Sequence, residues 1–382
     1  MPDKTKIFAV PQHVAQVNLP EWDRVESSMR GIFERSYFSN HGPLVKELDE
    51  KFAELQGVEN AICVVNGTIA LMLLAKAIEK TGDVIVPSFT FPATVQSLIW
   101  AGLRPVFCDV DPGTHKITAE IVEPLINKDT VAVLGVSLWG EGCDSENLEE
   151  LCELHKVSLI FDSCHSVGCS YNNRNIGNFG AGEAFSFHAT KVLNAGEGGC
   201  ITTNDPILAK RIKTMRSFHA QETYFDVPLR FNAKMSEAQA AFGLLSIEDL
   251  EKNIAANKTR YEAYLELLKY IPGINLHKYK NSNNYQYIVI TVEENTFGMS
   301  RDKLMQHLKD ENIICRRHFY PGVHRMAPFL NSSYSLPVTD DLCFKIMQLP
   351  NGQNMDINDV GKICRAIETI YQENKSPVKT SK

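Results

Sequence analysis

The sequence predicts an α/β fold: a mostly parallel sheet covered by helices on both faces. Three observations point there. Short, wholly apolar strand-like runs recur along the chain. Nearly every run is followed by a segment with helical spacing, which is what crossover-connected parallel strands require. The length of 382 residues exceeds one small core and suits a large domain with a smaller one attached.

Residues 21–36 read as a first helix, followed by the turn Ser39-Asn40-His41-Gly42-Pro43. Leu44, Leu48, Phe52 and Leu55 then recur at helical spacing, and Gly57 closes that helix. Residues 61–65 form a β-branched strand that runs into Asn66-Gly67-Thr68, and 69–78 an apolar helix. A strand that delivers a small-residue turn onto a helix N-terminus is a ready anion site, because free backbone N–H groups and the helix dipole both favour negative charge. Asn-Gly-Thr is equally an ordinary turn and cap. Strands are then expected at 84–86, 105–109, 131–137 and 157–162, with helices at 91–100, 117–126 and 147–155. A short strand follows at 184–187, apolar sequence resumes at Cys200-Ile201, and 207–215 is helical.

Residues 229–236 are irregular, basic and polar. Residues 237–268, rich in Ala, Leu and Glu and nearly free of glycine, read as one long helix leaving the large domain; Ile271-Pro272-Gly273 ends it. A second set follows: a strand at 285–292, a helix at 301–309, a strand at 313–316, and helices near 340–347 and 357–373. These observations place a large domain with an N-terminal helical arm at 1–250, and a small α+β domain at 251–382.

Net charge is −7, and no basic patch is present to hold a phosphate backbone, so nucleic acid is not an expected partner. The ten cysteines are scattered, mostly in apolar runs, without a Cys-x-x-Cys pair. A metal centre or a disulfide framework is therefore not expected. Buried reduced thiols point to the cytoplasm. Residues 1–12 lack the apolar stretch of a signal peptide. No apolar run approaches the ~18 residues of a membrane helix, so no membrane association is expected. The polar tail from residue 374 is expected to be disordered.

In parallel sheets ligands bind beyond the carboxyl ends of strands. Four polar groups fall at such ends: Asn66-Gly67-Thr68, residues 88–91, residues 162–165 and residues 186–191. Lys191 lies in Phe185-Ser186-Phe187-His188-Ala189-Thr190-Lys191, ahead of the glycine cluster at 196–199. Desolvation at a strand end lowers a lysine pKa and frees its amine as a nucleophile. A lone lysine is otherwise a solvated loop residue. Asp162 either caps a following helix or is a buried carboxylate paired with a cation; His165 is either structural or shares its cleft. A carboxylate, an imidazole and a lysine together fit pyridoxal phosphate, in which the carboxylate keeps the pyridine nitrogen protonated and the lysine binds the aldehyde and shuttles the proton.

Those residues carry a resemblance. From Ser39-Asn40-His41-Gly42-Pro43 to Leu349-Pro350 the chain resembles the DegT/DnrJ/StrS family of nucleotide-sugar aminotransferases, of the aspartate-aminotransferase fold type (type I). The core motif is Ser186-Phe187-His188-Ala189-Thr190-Lys191 with Glu197-Gly198-Gly199. The resemblance implies a seven-stranded, mostly parallel sheet and the cofactor pyridoxal 5'-phosphate. It implies that Lys191 is the Schiff-base lysine, that Asp162 contacts the pyridinium nitrogen and that His165 lies near the phenolic oxygen. Gly67, Thr68 and Ser186 would bind the phosphate, and Phe91 would stack on the ring. Asn232, in Arg230-Phe231-Asn232-Ala233-Lys234-Met235-Ser236, would complete the phosphate site of a neighbouring subunit, which implies a homodimer with shared active sites. The family usually has glycine where this chain has Arg230, so Arg230 becomes a candidate for a substrate anion. His318, Tyr320 and His324 resemble the segment that closes over the sugar nucleotide, and are equally readable as loop residues.

The implied activity is transfer of an amino group from an amino acid, L-glutamate in this family, to a nucleotide-linked keto-sugar. Family members that dehydrate sugars carry histidine in place of the lysine, and Lys191 is present. Members that aminate C3 commonly carry Tyr-Pro in place of His188-Ala189 and Asp-Gly-Gly in place of Glu197-Gly198-Gly199. A dTDP- or UDP-4-keto-6-deoxyhexose is therefore the expected acceptor, in surface-polysaccharide or glycoside biosynthesis. C3 amination and a non-catalytic regulatory role are the alternatives.

Overall fold

The computed structural model describes residues 6–218, 227, 229–330 and 333–375. The tail from residue 376 on lies outside the described residues. Seven strands form the central sheet: β1 Asn60–Val64, β2 Asp83–Pro87, β3 Arg104–Cys108, β4 Thr130–Val136, β5 Ser158–Asp162, β6 Gly182–Ser186 and β7 Gly199–Thr203. Their spatial order is β1-β7-β6-β5-β4-β2-β3. β7 is antiparallel to both its neighbours and every other pair is parallel. The seven-stranded, mostly parallel sheet expected of the family is present. Because β7 reverses twice, β1 runs in the same sense as β6, so the carboxyl ends of β1, β2, β4, β5 and β6 share one edge.

Local chemistry explains the helices that flank this sheet. Asn66 caps the helix Gly67–Ala77 by accepting from the Ile69 N–H at 2.9 Å. Pro43, Pro92 and Pro206 each open a helix, where a missing N–H costs nothing. Gly57 ends Pro43–Gln56 in the left-handed conformation. The sheet and its helices enclose one large apolar core.

Four expectations change. Residues 237–268 are two helices, Glu237–Glu248 and Leu250–Leu268. The chain turns at Asp249 (φ −91°, ψ 0°), whose carboxylate receives Arg24 Nη1 at 2.9 Å on both oxygens. The helix expected at 117–126 shrinks to Ala119–Val122 and a 3₁₀ turn, Glu123–Leu125; Pro124 lacks the N–H that would continue it. The helix near 340–347 is Pro337–Lys345, and the chain then becomes the strand Ile346–Leu349. The strand at 285–292 starts only at Ile288, because Tyr285 has φ +52°.

Ile274–Leu276, Ile288–Val292 and Ile346–Leu349 form a three-stranded antiparallel sheet. Helices Leu250–Leu268, Arg301–Asp310 and Ile357–Lys375 join it in a second apolar core. Phe8 belongs to that core, and Gln12–His13 pair with Ile313–Ile314. Tyr287, Phe319 and Val323 pack instead against the first core, so the later chain reaches back over the sheet edge.

A carboxylate with no accessible surface lies inside the central sheet. Glu183 of β6 is fully buried and accepts hydrogen bonds from Ser163 Oγ and from the N–H groups of Gly177 and Phe179. Burial raises its pKa to about 7, against the lowering effect of those bonds. A folded pKa above the unfolded one means that the folded state holds a proton the unfolded state has lost. Stability is therefore expected to fall as pH rises from about 4.5 to about 7, by about 3 kcal/mol from this group. Glu183→Gln keeps acceptor and donor capacity without the charge, and should flatten that decline in denaturant titrations across the range.

Candidate active site

The shared strand edge opens into a cavity of about 390 Å³. Gly67, Thr68, Phe91, Asp162, His165, Ser186, Lys191 and His318 all line it. They come from strand ends, two helix starts and one later loop.

Asp162 closes β5 and is 6% exposed. Its Oδ2 accepts from Thr94 Oγ1 at 2.6 Å and its Oδ1 from the Cys164 N–H at 3.1 Å. Thr94 is held in turn by Thr90 Oγ1 at 2.8 Å. No helix starts at this position, so the helix-cap alternative does not apply. A hydrogen-bonded carboxylate at the floor of the cavity has lone pairs left for a cationic N–H.

Lys191 donates to Tyr287 Oη at 3.4 Å. Burial pushes its amine below the usual lysine range; the Asp162 charge opposes this, and Arg316 adds to it. His165 lies over Tyr287, ring centroids 4.3 Å apart, with Trp139 at 5.8 Å. Burial drives its imidazole well below the usual range, with repulsion from Lys191 and His318, so His165 is neutral. Its Nδ1 is buried without a hydrogen-bond partner and so is available to a ligand atom. His318 Nδ1 is in the same condition, with its pKa lowered to about 4 by burial, then by Arg316 and Lys191.

The helix Gly67–Ala77 points its first turn at the cavity. A Cβ at Gly67 would sit 2.8 Å from Ser186 Cβ, so only glycine lets this turn approach the end of β6. A Cβ at Gly199 would meet the Asn66 carbonyl carbon at 2.5 Å. Unpaired N–H groups, a hydroxyl and close backbone approach suit a phosphate. With the amine, the carboxylate and the open imidazole nitrogen of His165, this set fits pyridoxal phosphate.

Four other candidates lie elsewhere. His324 is buried: Ser88 Oγ is 2.6 Å from its Nδ1, and Asp340 Oδ1 is 3.2 Å from its Nε2. It ties the loop Val323–Arg325 to the end of β2 and does not line the cavity. Tyr320 packs against Arg317 (4.5 Å) and Phe344 (5.4 Å). Arg230 donates to the Ser217 carbonyl at 3.3 Å. Asn232 is exposed and accepts from Lys234 Nζ at 2.6 Å. Conversely, Tyr287, Thr94 and Arg316 escaped the sequence reading. Only the spatial return of residues 285–319 over the edge brings Tyr287 and Arg316 to Lys191.

Residues 23–368 match the DegT/DnrJ/EryC1/StrS aminotransferase family. The chain belongs to that family. A dTDP-4-amino-4,6-dideoxy-D-glucose transaminase of Shigella dysenteriae is 33% identical over 345 residues, 89% of this chain and 94% of that protein. A GDP-perosamine synthase of Vibrio cholerae is 30% identical over 350 residues, covering 90% and 95%. The crystal structure of DesI in the presence of its TDP-sugar product superposes with a TM-score of 0.92 at 36% identity, covering 97% of this chain and 95% of that one. The cofactor of this aminotransferase is pyridoxal 5'-phosphate.

Two substitutions test the site. Lys191→Ala should abolish the visible absorbance of lysine-bound cofactor and lower turnover by at least ~10²–10⁴-fold, with the melting temperature little changed. Asp162→Asn should still bind cofactor yet turn over far more slowly, because a neutral amide does not keep the ring nitrogen protonated. Near-normal turnover of the Asn variant would make Asp162 a purely structural residue.

Proposed function

We propose that this enzyme transfers the amino group of an amino acid, L-glutamate, to C4 of a dTDP- or UDP-linked 4-keto-6-deoxyhexose, for surface-polysaccharide or glycoside biosynthesis. The observation that carries the reading is one cavity holding the Lys191 amine, the Asp162 carboxylate and the Gly67–Ser186 cradle. Pyridoxal phosphate, when bound, supplies an aldehyde that captures amines and a ring that accepts the electron pair of a breaking C–H bond. The chain supplies the rest. Gly67, Thr68 and Ser186 hold the phosphate, and Asp162 keeps a proton on the ring nitrogen. His165 offers its open Nδ1 to the phenolic oxygen, and Phe91 covers the ring. Lys191, its basicity lowered by burial, takes and returns the migrating proton.

Amination at C4 is favoured by His188-Ala189 and Glu197-Gly198-Gly199, and by the 4-amino sugar in the name of the Shigella relative. The thymidine nucleotide is favoured by that relative and by DesI. The ten cysteines are free, in keeping with a cytoplasmic enzyme. Among the described residues no helix is long and apolar enough to cross a membrane. The division into a large domain, 1–250, and a small one, 251–382, belongs to the same reading. Apart from Phe8, the buried residues of the second core run from Tyr261 to Ile367.

The enzyme is further proposed to be a homodimer with shared sites. Ala233 and Met235 are buried, while Asn232, which precedes them, is exposed and does not line the cavity of its own chain. The exposed rings of Trp22, Phe33, Phe91 and Trp100 leave apolar surface for a partner to cover.

A panel of keto-sugar nucleotides incubated with L-glutamate, read by mass spectrometry and NMR, tests the substrate: a C4-amino product from the dTDP- or UDP-4-keto-6-deoxyhexose is expected. A C3-amino product, or none from any acceptor, would overturn the reading. Asn232→Ala should weaken cofactor binding by roughly 10–100-fold, the worth of a hydrogen bond to a charged group. Sedimentation of a fully active monomer would rule out the shared site.

A further inference from the structure

Asn283, Asn284 and Gln286 are buried polar side chains that do not line the cavity. They reach from the later chain to the backbone of the loops that carry the site. Asn283 Nδ2 donates to the Trp139 carbonyl at 2.9 Å. Asn284 Nδ2 donates to the carbonyls of His165 at 2.9 Å and Val167 at 3.2 Å. Gln286 Nε2 donates to the Thr190 carbonyl. Next to it, Tyr287 Oη meets the Lys191 amine at 3.4 Å.

The segment that makes these bonds is itself held from the side of the second core. Asn257 Nδ2 donates to the Asn284 carbonyl at 3.2 Å, and Asn351 Nδ2 to the carbonyls of Tyr285 and Gln286, both at 3.0 Å. Arg260 ties the two asparagines together: Nη2 donates to Asn257 Oδ1 at 2.7 Å and Nε to Asn351 Oδ1 at 2.6 Å. A braced backbone therefore carries Gln286.

The peptide unit between Thr190 and Lys191 is planar, and both of its polar atoms are taken. Gln286 holds the carbonyl, and the His188 carbonyl receives the Lys191 N–H at 2.8 Å. These two bonds fix the plane from which the lysine side chain leaves the backbone. Gln286 makes its bond at a cost. Asn283 and Asn284 use their amide oxygens, accepting from the N–H groups of Tyr285 at 2.6 Å and Gln286 at 3.2 Å. Gln286 Oε1 is buried with no hydrogen-bond partner among the described residues. An apolar side chain of similar length would remove that cost. What it would lack is the donor to Thr190.

We propose that Gln286 is a positioning residue for Lys191, fixing the Thr190–Lys191 peptide so that the amine is aimed into the cavity. This rests on the reading of Lys191 as the cofactor lysine and adds the residue that aims it. Gln286 touches neither cofactor nor substrate; it acts through the backbone of its neighbour.

The test begins with apoenzyme, in which the Lys191 amine is free. Gln286→Met keeps the length without a donor, and Gln286→Asn keeps the amide but withdraws it by a methylene. Each is acylated with trace acetic anhydride across a pH series, and the Lys191 peptide is quantified by mass spectrometry against exposed lysines. The other groups facing the amine, Asp162, Cys164, His165, Tyr287, Arg316 and His318, are unaltered. A released loop admits water to the amine, so the midpoint of Lys191 acylation should rise by about one pH unit in both variants. In holoenzyme, kcat should fall by about 10–100-fold, the effect of a small misplacement, with KM for L-glutamate within about threefold. A merely structural amide would lower the melting temperature and leave the midpoint where it is. The proposal is overturned by an unchanged midpoint in whichever variant folds, by kcat within about threefold of the parent, by a loss carried in KM alone, or by failure of both variants to fold. A raised midpoint in an enzyme whose visible cofactor absorbance survives Lys191→Ala would support the hold on Lys191 while removing its role as the cofactor lysine.

Discussion

The Asp162 carboxylate is a charge held at the bottom of an apolar fold, and much of the site depends on keeping it there. Burying a carboxylate at such depth is costly unless hydrogen bonds replace its water. Thr94 and the Cys164 N–H meet it from opposite sides, and Thr90 orients Thr94. Those partners exist because β5 lies in the middle of the sheet and the helix Pro92–Trp100 begins beside its end. In the proposed reading, the cation it would meet is the protonated ring nitrogen of the cofactor. Lys191 sits under the opposite constraint: burial lowers its affinity for a proton, while the Asp162 charge moderates the effect. In that reading, one buried charge would link the electronics of the ring to the basicity of the lysine.

What was legible in the sequence was local. Strand ends carry their own signature, an apolar run that stops at a polar residue, and Asp162, Ser186 and Lys191 each lie within a few residues of one. Asn66, Gly57, Pro43, Pro92 and Pro206 act within their own turn. The features that could not be read depend on partners far along the chain. The break at Asp249 contains neither glycine nor proline; Arg24, 225 residues away, holds the carboxylate at the turn. The strand Ile346–Leu349 looks helical by spacing and becomes a strand because Ile288–Thr291 offer it a ladder. Tyr287 and Arg316 reach Lys191 only through the tertiary return of their segment.

His324 illustrates the reverse case. In His318-Phe319-Tyr320-Pro321-Gly322-Val323-His324 both imidazoles look equally functional. The fold separates them by their surroundings: His324 bonds Ser88 through Nδ1 and turns Nε2 to the Asp340 carboxylate 3.2 Å away, outside the cavity, whereas His318 lines the cavity and keeps Nδ1 without a protein group against it. Residue type alone does not distinguish a spent imidazole from a free one.

The pairing of Gln12–His13 with Ile313–Ile314, and the seat of Phe8 in the second core, bear on how the protein is made. Synthesis proceeds from the N-terminus, and domains generally fold as the chain emerges from the ribosome. The central sheet has all its strands once Thr203 is out. Phe8, Gln12 and His13 must then wait, unpartnered, until some hundred further residues have been translated. Their docking closes one of the longest loops in the molecule and belongs to the last stage of maturation. A ribosome stalled between these two points would hold an assembled sheet whose leading segment is still free for a chaperone to bind or a protease to cut.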